Sequence, residues 1–431
     1  MIWRLPIFLV LCFPRLVLAQ DEPPHPPTTP PEIISEIRFA GNKTTRPKIF
    51  LQVMLAKVGE PADPDLIERS RQAIMDLGLF KSVTATLLQE QGRTVLLISV
   101  KEKYYILPIP KLNRDANNHF TLGAQLRMDN LAGLNQRLKL TYETQKVDTS
   151  NSLSKTTQLD YSYPRLQGTP YDIDFNFART RTPSDSMVAG APEIYQAEVS
   201  YVNLGISRWM QQETPTVGWR AGSGLTWQRQ IYDVSAGTPQ NLKEGRAVAI
   251  TALVEHTRVH DYLYSRAGQV FGYNGTFGAP FLGSNSDYTA HLFYFRGYYP
   301  VSDKLHRTVD VQVRLGLASE QIFGPAYTLG GSSTLRGYPS GSFTGNAFFL
   351  VNVDYLRPFY DYYPLRSGAF MDIGNAYPST SALNFSGLKT SVGLSLQLKL
   401  KSFVKIDLHV DYAYAVETGK TKVYAGTREQ F

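Results

Sequence analysis

The chain has almost no cysteine and no long apolar run. Cys12 is the one cysteine among 431 residues. No segment approaches the roughly 18 consecutive apolar residues that a membrane-spanning helix needs, and the mean hydropathy is −0.22. A helical membrane bundle is therefore excluded, while 12% aromatic residues exclude a disordered chain. A soluble protein or a β-barrel remains.

The N-terminus predicts an exported protein. Arg4 precedes an apolar run over residues 5–13, and Val17-Leu18-Ala19 stands before Gln20, a pattern typical of a signal peptide over residues 1–19. Cleavage there would remove Cys12, so the mature chain would lack a thiol. It would also remove two arginines and no acidic residue, and the formal charge would fall from +7 to +5. Without a Lys/Arg run, that charge does not point to nucleic acid.

Tyrosine is absent from residues 1–103, whereas all 26 tyrosines lie beyond them. Residues 20–31 contain six prolines in twelve positions and predict an extended linker. The compositional break at residue 104 predicts two domains in different solvents, one over residues 32–103 and one over residues 104–431.

The first domain reads as strand, helix, helix, strand, strand. The strand over residues 33–39 ends at a Gly-Asn turn, and Pro47 and Asp63-Pro64 mark the starts of two amphipathic helices. Residues 82–89 and 94–100 predict a hairpin. This pattern indicates a small α+β module.

The second domain shows strands with strict two-residue alternation, and many of them are about ten residues or longer. Apolar residues at 392, 394, 396, 398 and 400 alternate with polar ones. A soluble β-sandwich would also alternate, but its strands are usually about five or six residues long, so the lengths favour tilted strands that cross a bilayer. We count about 16 strands, an even number that puts both barrel ends on one side. The sequence therefore predicts a mainly β protein, an antiparallel transmembrane barrel after a small α+β domain.

The lengths of the connections between the predicted strands agree with a barrel whose two ends face the periplasm. If the first domain is periplasmic, the longest connections, at residues 183–192, 233–244 and 323–345, are external. Pro108 and Pro110 lie in the first barrel strand, where proline is tolerated only at an edge or a bulge. Pairing between the first and last strands is expected to be weak, unless these prolines merely form the link into the barrel.

Several motifs together resemble the BamA/TamA-type outer-membrane assembly-factor superfamily, and the resemblance covers nearly the whole mature chain. Two lie in the first domain, which is similar to a POTRA module, and two in the barrel. The segments are Ile37-Arg38-Phe39-Ala40-Gly41-Asn42, residues 77–83, Leu329-Gly330-Gly331 followed by Leu335-Arg336-Gly337-Tyr338, and residues 370–377 around Asp372.

The resemblance implies a POTRA domain in the periplasm and a 16-strand barrel in the outer membrane of a Gram-negative bacterium. It implies that unfolded outer-membrane or secreted polypeptides are clients, with outer-membrane lipid and accessory periplasmic or lipoprotein partners. The terminal Phe431 is similar to an outer-membrane targeting signal. The single POTRA-like domain disfavours two-partner secretion, a function that stays open beside a passive porin-like pore. The POTRA-like domain could capture clients by strand addition or act as a spacer.

The 23-residue segment 323–345 contains six glycines and needs an anchor to be ordered. Asp372 shares a strand face with Gly368 and Phe370, which predicts that it points into the lumen. If the loop folds inward, as the resemblance implies, Arg336 meets Asp372, with Asp354 as a second acceptor. The alternative is a solvated external loop with an arginine at its rim.

Catalysis and cofactors are not indicated. His256 and His260 flank Arg258 on one strand face, but their spacing is not that of a helical metal motif. We interpret them as scattered lumen histidines. The sequence contains no nucleophile elbow and no phosphate loop, so we expect no enzyme activity, metal or cofactor.

Overall fold

The computed structural model describes residues 32–114, 120–147, 150–188, 191–214, 217–239, 242–301, 304–360, 362–404 and 406–429. The predicted signal peptide, the predicted linker and Phe431 lie outside these residues. Across these ranges, none of the helices is both long and apolar enough to cross a membrane.

The first domain is a three-stranded sheet covered by two helices. Its elements are β1 (Ile34–Ala40), α1 (Pro47–Leu51), α2 (Pro64–Asp76), β2 (Phe80–Glu90) and β3 (Arg93–Glu102). The sheet order is β1-β3-β2, with β1 parallel to β3. Asp63 caps α2, since its Oδ1 accepts a hydrogen bond from the Asp65 N–H at 3.0 Å. The predicted order of elements is confirmed.

The core of this domain forms where the helices meet the sheet. Phe50 stacks between Phe39 and Phe80, with ring centroids 4.8 and 5.4 Å away. Ile74 of α2 and Leu96 of β3 are fully buried beside them. Both amphipathic helices thus cover one face of the sheet with their apolar sides.

The second domain is a 16-stranded antiparallel sheet that curls into a nearly closed barrel. The predicted fold class is confirmed. The strands are β4 (Ile106–Arg114), β5 (Phe120–Leu131), β6 (Gln136–Val147), β7 (Ser150–Tyr163), β8 (Tyr171–Val188), β9 (Ala191–Thr214), β10 (Val217–Ala236), β11 (Gly245–Asp261), β12 (Arg266–Gly278), β13 (Tyr288–Val301), β14 (Lys304–Ala318), β17 (Ala347–Phe359), β18 (Tyr362–Tyr377), β19 (Lys389–Lys399), β20 (Ile406–Ala415) and β21 (Lys420–Glu429).

The remaining elements lie in connections. The hairpin of β15 (Tyr327–Leu329) and β16 (Phe343–Gly345) belongs to the connection between β14 and β17, which we call loop six. Single 3-10 turns lie at Leu166–Gly168, Pro280–Leu282 and Thr380–Ala382.

The barrel is apolar outside and polar inside. On β19 and β20, Leu394 is 64% exposed and Tyr412 is 50% exposed, whereas Ser391 and Asp411 are fully buried. A soluble sandwich has the reverse arrangement, because its apolar faces are enclosed. The exposed apolar face is that of a barrel surrounded by lipid.

Two predicted external loops were too long. Residues 183–188 and 191–192 belong to strands, since β8 pairs with β9 from Pro183 opposite Gln196 up to Val188 opposite Ala191. β10 likewise continues to Ala236. The polar, proline-containing sequence suggested loops, but the hairpins continue their ladder beyond the length that crosses a bilayer.

The first strand of the barrel, β4, and the last strand, β21, lie side by side at a junction that we call the seam. β21 lies beside β4, but no β-ladder joins them in the described part of the chain, so they are the two ends of the sheet. On the other side of β4, the Asp129 N–H donates to the Tyr105 carbonyl at 2.7 Å. From there the β4–β5 ladder continues past Pro108 and Pro110 without a change of register. In this register, Pro108 and Pro110 present their nitrogens to β21. They therefore remove two donors from the seam.

Candidate functional site

Loop six folds into the barrel lumen and packs against the wall. Leu335, fully buried, and Tyr338, 3% exposed, belong to one apolar cluster with Phe348 and Leu350 of β17. The Tyr338 ring also meets Phe343 edge-on at 5.2 Å. The inward loop predicted from the sequence is therefore present in the structure, and the rim position is not.

Arg336 forms two bidentate ion pairs with the wall. Its Nε and Nη2 lie 2.8 and 2.7 Å from the two carboxylate oxygens of Asp372. Its Nη1 and Nη2 lie 2.9 and 3.2 Å from those of Asp354. Arg336 is 3% exposed and Asp372 is fully buried, so the pairs are shielded from solvent. The structure thus brings together the three residues that the sequence singled out.

Further contacts fix this arrangement. The Arg336 N–H donates to Asp372 at 3.0 Å, and the guanidinium carbon lies 3.4 Å from the centre of the Phe370 ring. Asn352 donates to Asp372 at 2.8 Å and to the Thr334 carbonyl at 2.6 Å. Burial alone would lower the pKa of Arg336, but its hydrogen bonds with Asp372 and Asp354 raise the pKa instead. The guanidinium is therefore charged at every physiological pH.

The next two residues attach loop six to the last strand. The Gly337 N–H donates to the Tyr424 hydroxyl at 3.1 Å, and that hydroxyl donates to the Tyr338 carbonyl at 3.0 Å. The Tyr338 hydroxyl bonds Glu417 in the turn between β20 and β21, and burial and this carboxylate raise the pKa of Tyr338. Loop six therefore binds a residue of the seam strand β21.

Gly330 and Gly331 make the turn that follows β15. Their φ angles are 111° and 87°, a region that favours glycine. A Cβ at Gly330 would lie 2.0 Å from the Pro339 carbonyl oxygen. Larger residues at Gly330 would therefore displace the segment that carries Arg336.

Comparison with known proteins identifies the family. Residues 130–431, well over half of the chain, match the Omp85 superfamily domain. The chain belongs to the Omp85 superfamily. Residues 32–103 match the POTRA family, described as a surface antigen variable number repeat. This Omp85 barrel lies in the Gram-negative outer membrane, with its POTRA domain in the periplasm.

Individual relatives agree with this assignment. The outer membrane protein assembly factor BamA of Nitratidesulfovibrio vulgaris is 32% identical over 114 residues, which are 26% of this chain and 14% of the relative. The match thus covers about one seventh of that relative's length.

Two solved structures share the fold. BamA from Haemophilus ducreyi lacking POTRA domains 1–3 has a TM-score of 0.54 at 16% identity, covering 92% of this chain and 84% of that one. CdiB from Escherichia coli has a TM-score of 0.66 at 14% identity, covering 92% and 76%.

The POTRA domain of this Omp85 protein docks directly on the periplasmic mouth. On one side, Asp76 at the end of α2 is 2% exposed. It accepts a hydrogen bond from the Asp261 N–H at 2.9 Å and lies 3.0 Å from the His260 Nδ1. Gln72 also donates to the Asp261 carbonyl at 3.2 Å. This α2 contact joins the domain to the end of β11, and sequence analysis missed it because no motif marks it.

The other side of the POTRA domain binds turns far from β11. Arg46 donates from its N–H to the Gly133 carbonyl at 3.1 Å and from its Nε to the Ala132 carbonyl at 3.0 Å. Tyr105 and Val404, from the barrel's entry and its β19–β20 turn, belong to the core of the POTRA domain, and burial raises the pKa of Tyr105. Because these turns and β11 lie on different parts of the rim, the domain extends across the mouth.

The predicted lumen position of His256 was wrong. Its ring lies on the outer face, 4.8 Å from Trp219 and 5.1 Å from Phe271 between ring centroids. The neighbouring Glu255 points inward instead and bonds Arg220 at 2.7 Å. Val254, two positions before His256, is an exposed apolar residue. Because residues two apart share a face of a strand, Val254 indicates that His256 lies on the apolar outer face.

Proposed function

We propose that this protein assists the insertion or translocation of other polypeptides at the outer membrane, by a seam between β4 and β21 that opens sideways. The observation that carries the proposal is the missing ladder between these two strands in the described part of the chain. The nitrogens of Pro108 and Pro110 face that seam, so fewer hydrogen bonds oppose its opening. An unfolded client strand could pair with the exposed edge.

Loop six would hold the seam strand during this step. Arg336 anchors the loop to β17 and β18, and the Tyr424 hydroxyl links the same loop to β21. In this proposal, the loop keeps β21 in place while β4 separates from it. Asp372 and Asp354 would then act as anchors rather than as catalytic groups, as suits a family of non-enzymatic factors.

The POTRA domain would capture the client by strand addition at β2. β1 and β2 are the two edges of its sheet. The start of β1 is partly covered, since the Ile34 N–H donates to the Glu60 carbonyl at 2.9 Å and the Gly59 N–H to the Ile34 carbonyl at 2.8 Å. β2 has no second strand neighbour among the described residues, so its edge is the better site. Clients would be unfolded outer-membrane or secreted polypeptides, with accessory partners on the periplasmic side.

We also propose that residues 1–19 are removed on export, that residues 20–31 form a spacer, and that Phe431 contributes to outer-membrane targeting. Mass spectrometry of the purified mature protein tests the cleavage, since a mass that retains Cys12 contradicts it.

The experiment uses substitutions that restore the two backbone N–H donors missing from the seam. We would reconstitute the protein in lipid vesicles with an unfolded barrel client and measure how fast folded, protease-protected client accumulates. The double substitution Pro108→Val and Pro110→Val should strengthen seam pairing and slow client folding by about tenfold or more. Pro300→Val, in β13 away from the seam, is the matched control and should leave the rate unchanged.

Two results would contradict the proposal. An equal rate of client folding with wild type and with the double variant would show that opening of the seam is not part of the mechanism. No acceleration with any client, together with large steady single-channel currents, would instead indicate a passive porin-like pore.

A further inference from the structure

A groove of about 560 Å³ lies on the outer, lipid-facing wall of the barrel, centred on β18. Outward side chains of β17, β18, β19 and β20 line it in two successive rows of cross-strand neighbours. One row is Arg357, Ser367, Leu396 and Val410, and the next row is Tyr355, Ala369, Leu394 and Tyr412. We call this feature the β18 groove.

The β18 groove forms because β18 carries a small side chain in both rows. Ser367 and Ala369 lie between larger neighbours on β17 and β19. Adjacent strands are about 4.8 Å apart, so the side chains on either side of β18 stand roughly 10 Å apart. The outward residues before and after this pair on β18, Leu365 and Met371, are large. The depression is therefore confined to two rows, and a segment of one extended hydrocarbon chain fits along it.

The two rows differ in polarity in the order that a phospholipid requires. The row with Arg357 and Ser367 lies nearer the periplasm, since β17 ends at Phe359 and β18 begins at Tyr362 on that side. Phe359, Tyr362 and Tyr363 are exposed there, and such aromatic girdles mark the interface between membrane and water. Arg357 therefore lies at the level of the lipid headgroups, while the second row lies deeper and is lined by aliphatic and tyrosine side chains.

The charge of Arg357 selects the kind of lipid. Arg357 is exposed on the outer face, and its guanidinium forms no ion pair or hydrogen bond with the described residues. A basic side chain at the membrane surface attracts anionic lipids, and the planar guanidinium can donate two hydrogen bonds to one phosphate group. The Ser367 hydroxyl, directly across the strand pair, offers a neutral donor beside it. Charge complementarity thus favours an anionic phospholipid over a zwitterionic one.

We propose that the β18 groove binds an anionic phospholipid of the periplasmic leaflet, with its phosphate on Arg357 and Ser367 and one acyl chain over Ala369. Asp354 and Asp372, which anchor loop six, lie on the lumen face of the same two strands, β17 and β18. The bound lipid would therefore brace from outside the part of the wall that holds loop six from inside. This site is independent of the proposed insertion activity, since lipid binding requires no client.

The test maps which residues contact the lipid. The full-length protein is reconstituted in phosphatidylcholine vesicles that contain a small fraction of phosphatidylglycerol with a photoreactive group in its acyl chain. After illumination, mass spectrometry locates the labelled peptides. Label should concentrate on residues 394–396 and 410–412 of the β18 groove. Photoreactive phosphatidylcholine at the same fraction should label them about fivefold less, because it lacks the net charge that Arg357 attracts.

Two variants test the two ends of the site separately. Arg357→Gln should lower labelling by phosphatidylglycerol about fivefold, to the level of phosphatidylcholine. Ala369→Leu fills the β18 groove and should lower labelling by both lipids. Arg208→Gln is the matched control, because Arg208 is also exposed near the periplasmic end of its strand, β9, where it lies over the Tyr171 ring at 5.7 Å. It should leave labelling of the β18 groove unchanged.

Three results would overturn the proposal. Equal labelling by the two lipids in wild type, or label spread evenly around the barrel, would indicate ordinary boundary lipid. Unchanged labelling by phosphatidylglycerol in Arg357→Gln would exclude the headgroup contact. Unchanged labelling in Ala369→Leu would exclude the acyl-chain position. All three substituted side chains face outward, so heat resistance of each barrel in phosphatidylcholine should equal that of wild type and confirms that the variants are folded.

Discussion

Among single residues, Arg336 is the one whose loss we expect to change the barrel most. Arg336→Ala leaves Asp372 buried without its cation, and removal of one partner of a buried pair costs about 3–5 kcal/mol. We therefore expect a lower free energy of unfolding, measured by urea titration in vesicles, and faster proteolysis of loop six. Arg336→Lys should give an intermediate value, since an ammonium cannot bind two carboxylates bidentately.

Arg357→Ala provides the comparison for this loss. Arg357 lies on the same strand as Asp354 but is exposed on the outer face, so its removal should change the free energy of unfolding by less than about 0.5 kcal/mol. An Arg336→Ala barrel as stable as the Arg357→Ala barrel would show that the loop does not depend on this anchor.

The Tyr424 hydroxyl is the second residue-scale test. Tyr424→Phe keeps the ring in its apolar cluster with Phe370 but leaves the buried Gly337 N–H without its acceptor. The expected cost is about 1–3 kcal/mol, with faster hydrogen exchange along β21 and unchanged exchange in β5. Tyr412→Phe, on the exposed face of β20, should alter neither, and equal exchange in both variants would contradict the link between loop six and β21.

Sequence reasoning succeeded for residues whose role follows from strand parity and failed for those that depend on long-range docking. The inward position of Asp372 follows from its alternation with Met371, and Arg336 followed from the motif around it. Asn352 and Tyr424 contact loop six only because the barrel curls, and no local pattern marks them. His256 was misplaced although parity was available, since its polarity was weighted above its apolar neighbours.

At the scale of elements, α2 has two roles. Its apolar face covers the sheet of the POTRA domain, and its C-terminal residue Asp76 joins that domain to the barrel. Asp76→Ala removes the acceptor of the Asp261 N–H and the partner of His260. We expect the POTRA domain to detach on this side, with faster hydrogen exchange in residues 260–265 and unchanged exchange in β3.

Asp65→Asn is the control for this detachment. It changes an exposed carboxylate in the first turn of the same helix, away from the barrel contact. The POTRA fold should persist in both variants, because Ile74 and Phe80 remain in its core. Unchanged exchange at residues 260–265 in Asp76→Ala would mean that the contacts of Arg46 and Tyr105 suffice to hold the domain in place.

The strands show why the boundaries were harder to predict than the faces. Alternation identifies a strand wherever one face is apolar, but the outer parts of β8 to β10 mix polar and apolar residues on both faces and have no such period. These outer parts pair because the strand ladders continue into them from the membrane-spanning part of the barrel. The same limit applies to β15 and β16, which are three residues each and pair only because loop six is folded inward.

At the scale of the whole molecule, two parts of the chain lie in the path through the barrel. Loop six folds into the lumen, and the POTRA domain extends across its periplasmic mouth. Two obstacles in series limit flow independently, so removal of one leaves the other in place. This arrangement differs from a porin, whose lumen is an aqueous channel.

The series arrangement predicts a non-additive response of conductance. Single channels of the wild type should carry little current, and so should Asp76→Ala alone, because loop six still lies in the lumen. Replacement of residues 330–342 by a short glycine linker should give only a modest increase, since the POTRA domain still covers the mouth. The combination should give large, stable openings, well above the sum of the two single effects. Additive currents, or full opening by the loop replacement alone, would show that the POTRA domain does not obstruct the path, and the client would then have direct access to the lumen.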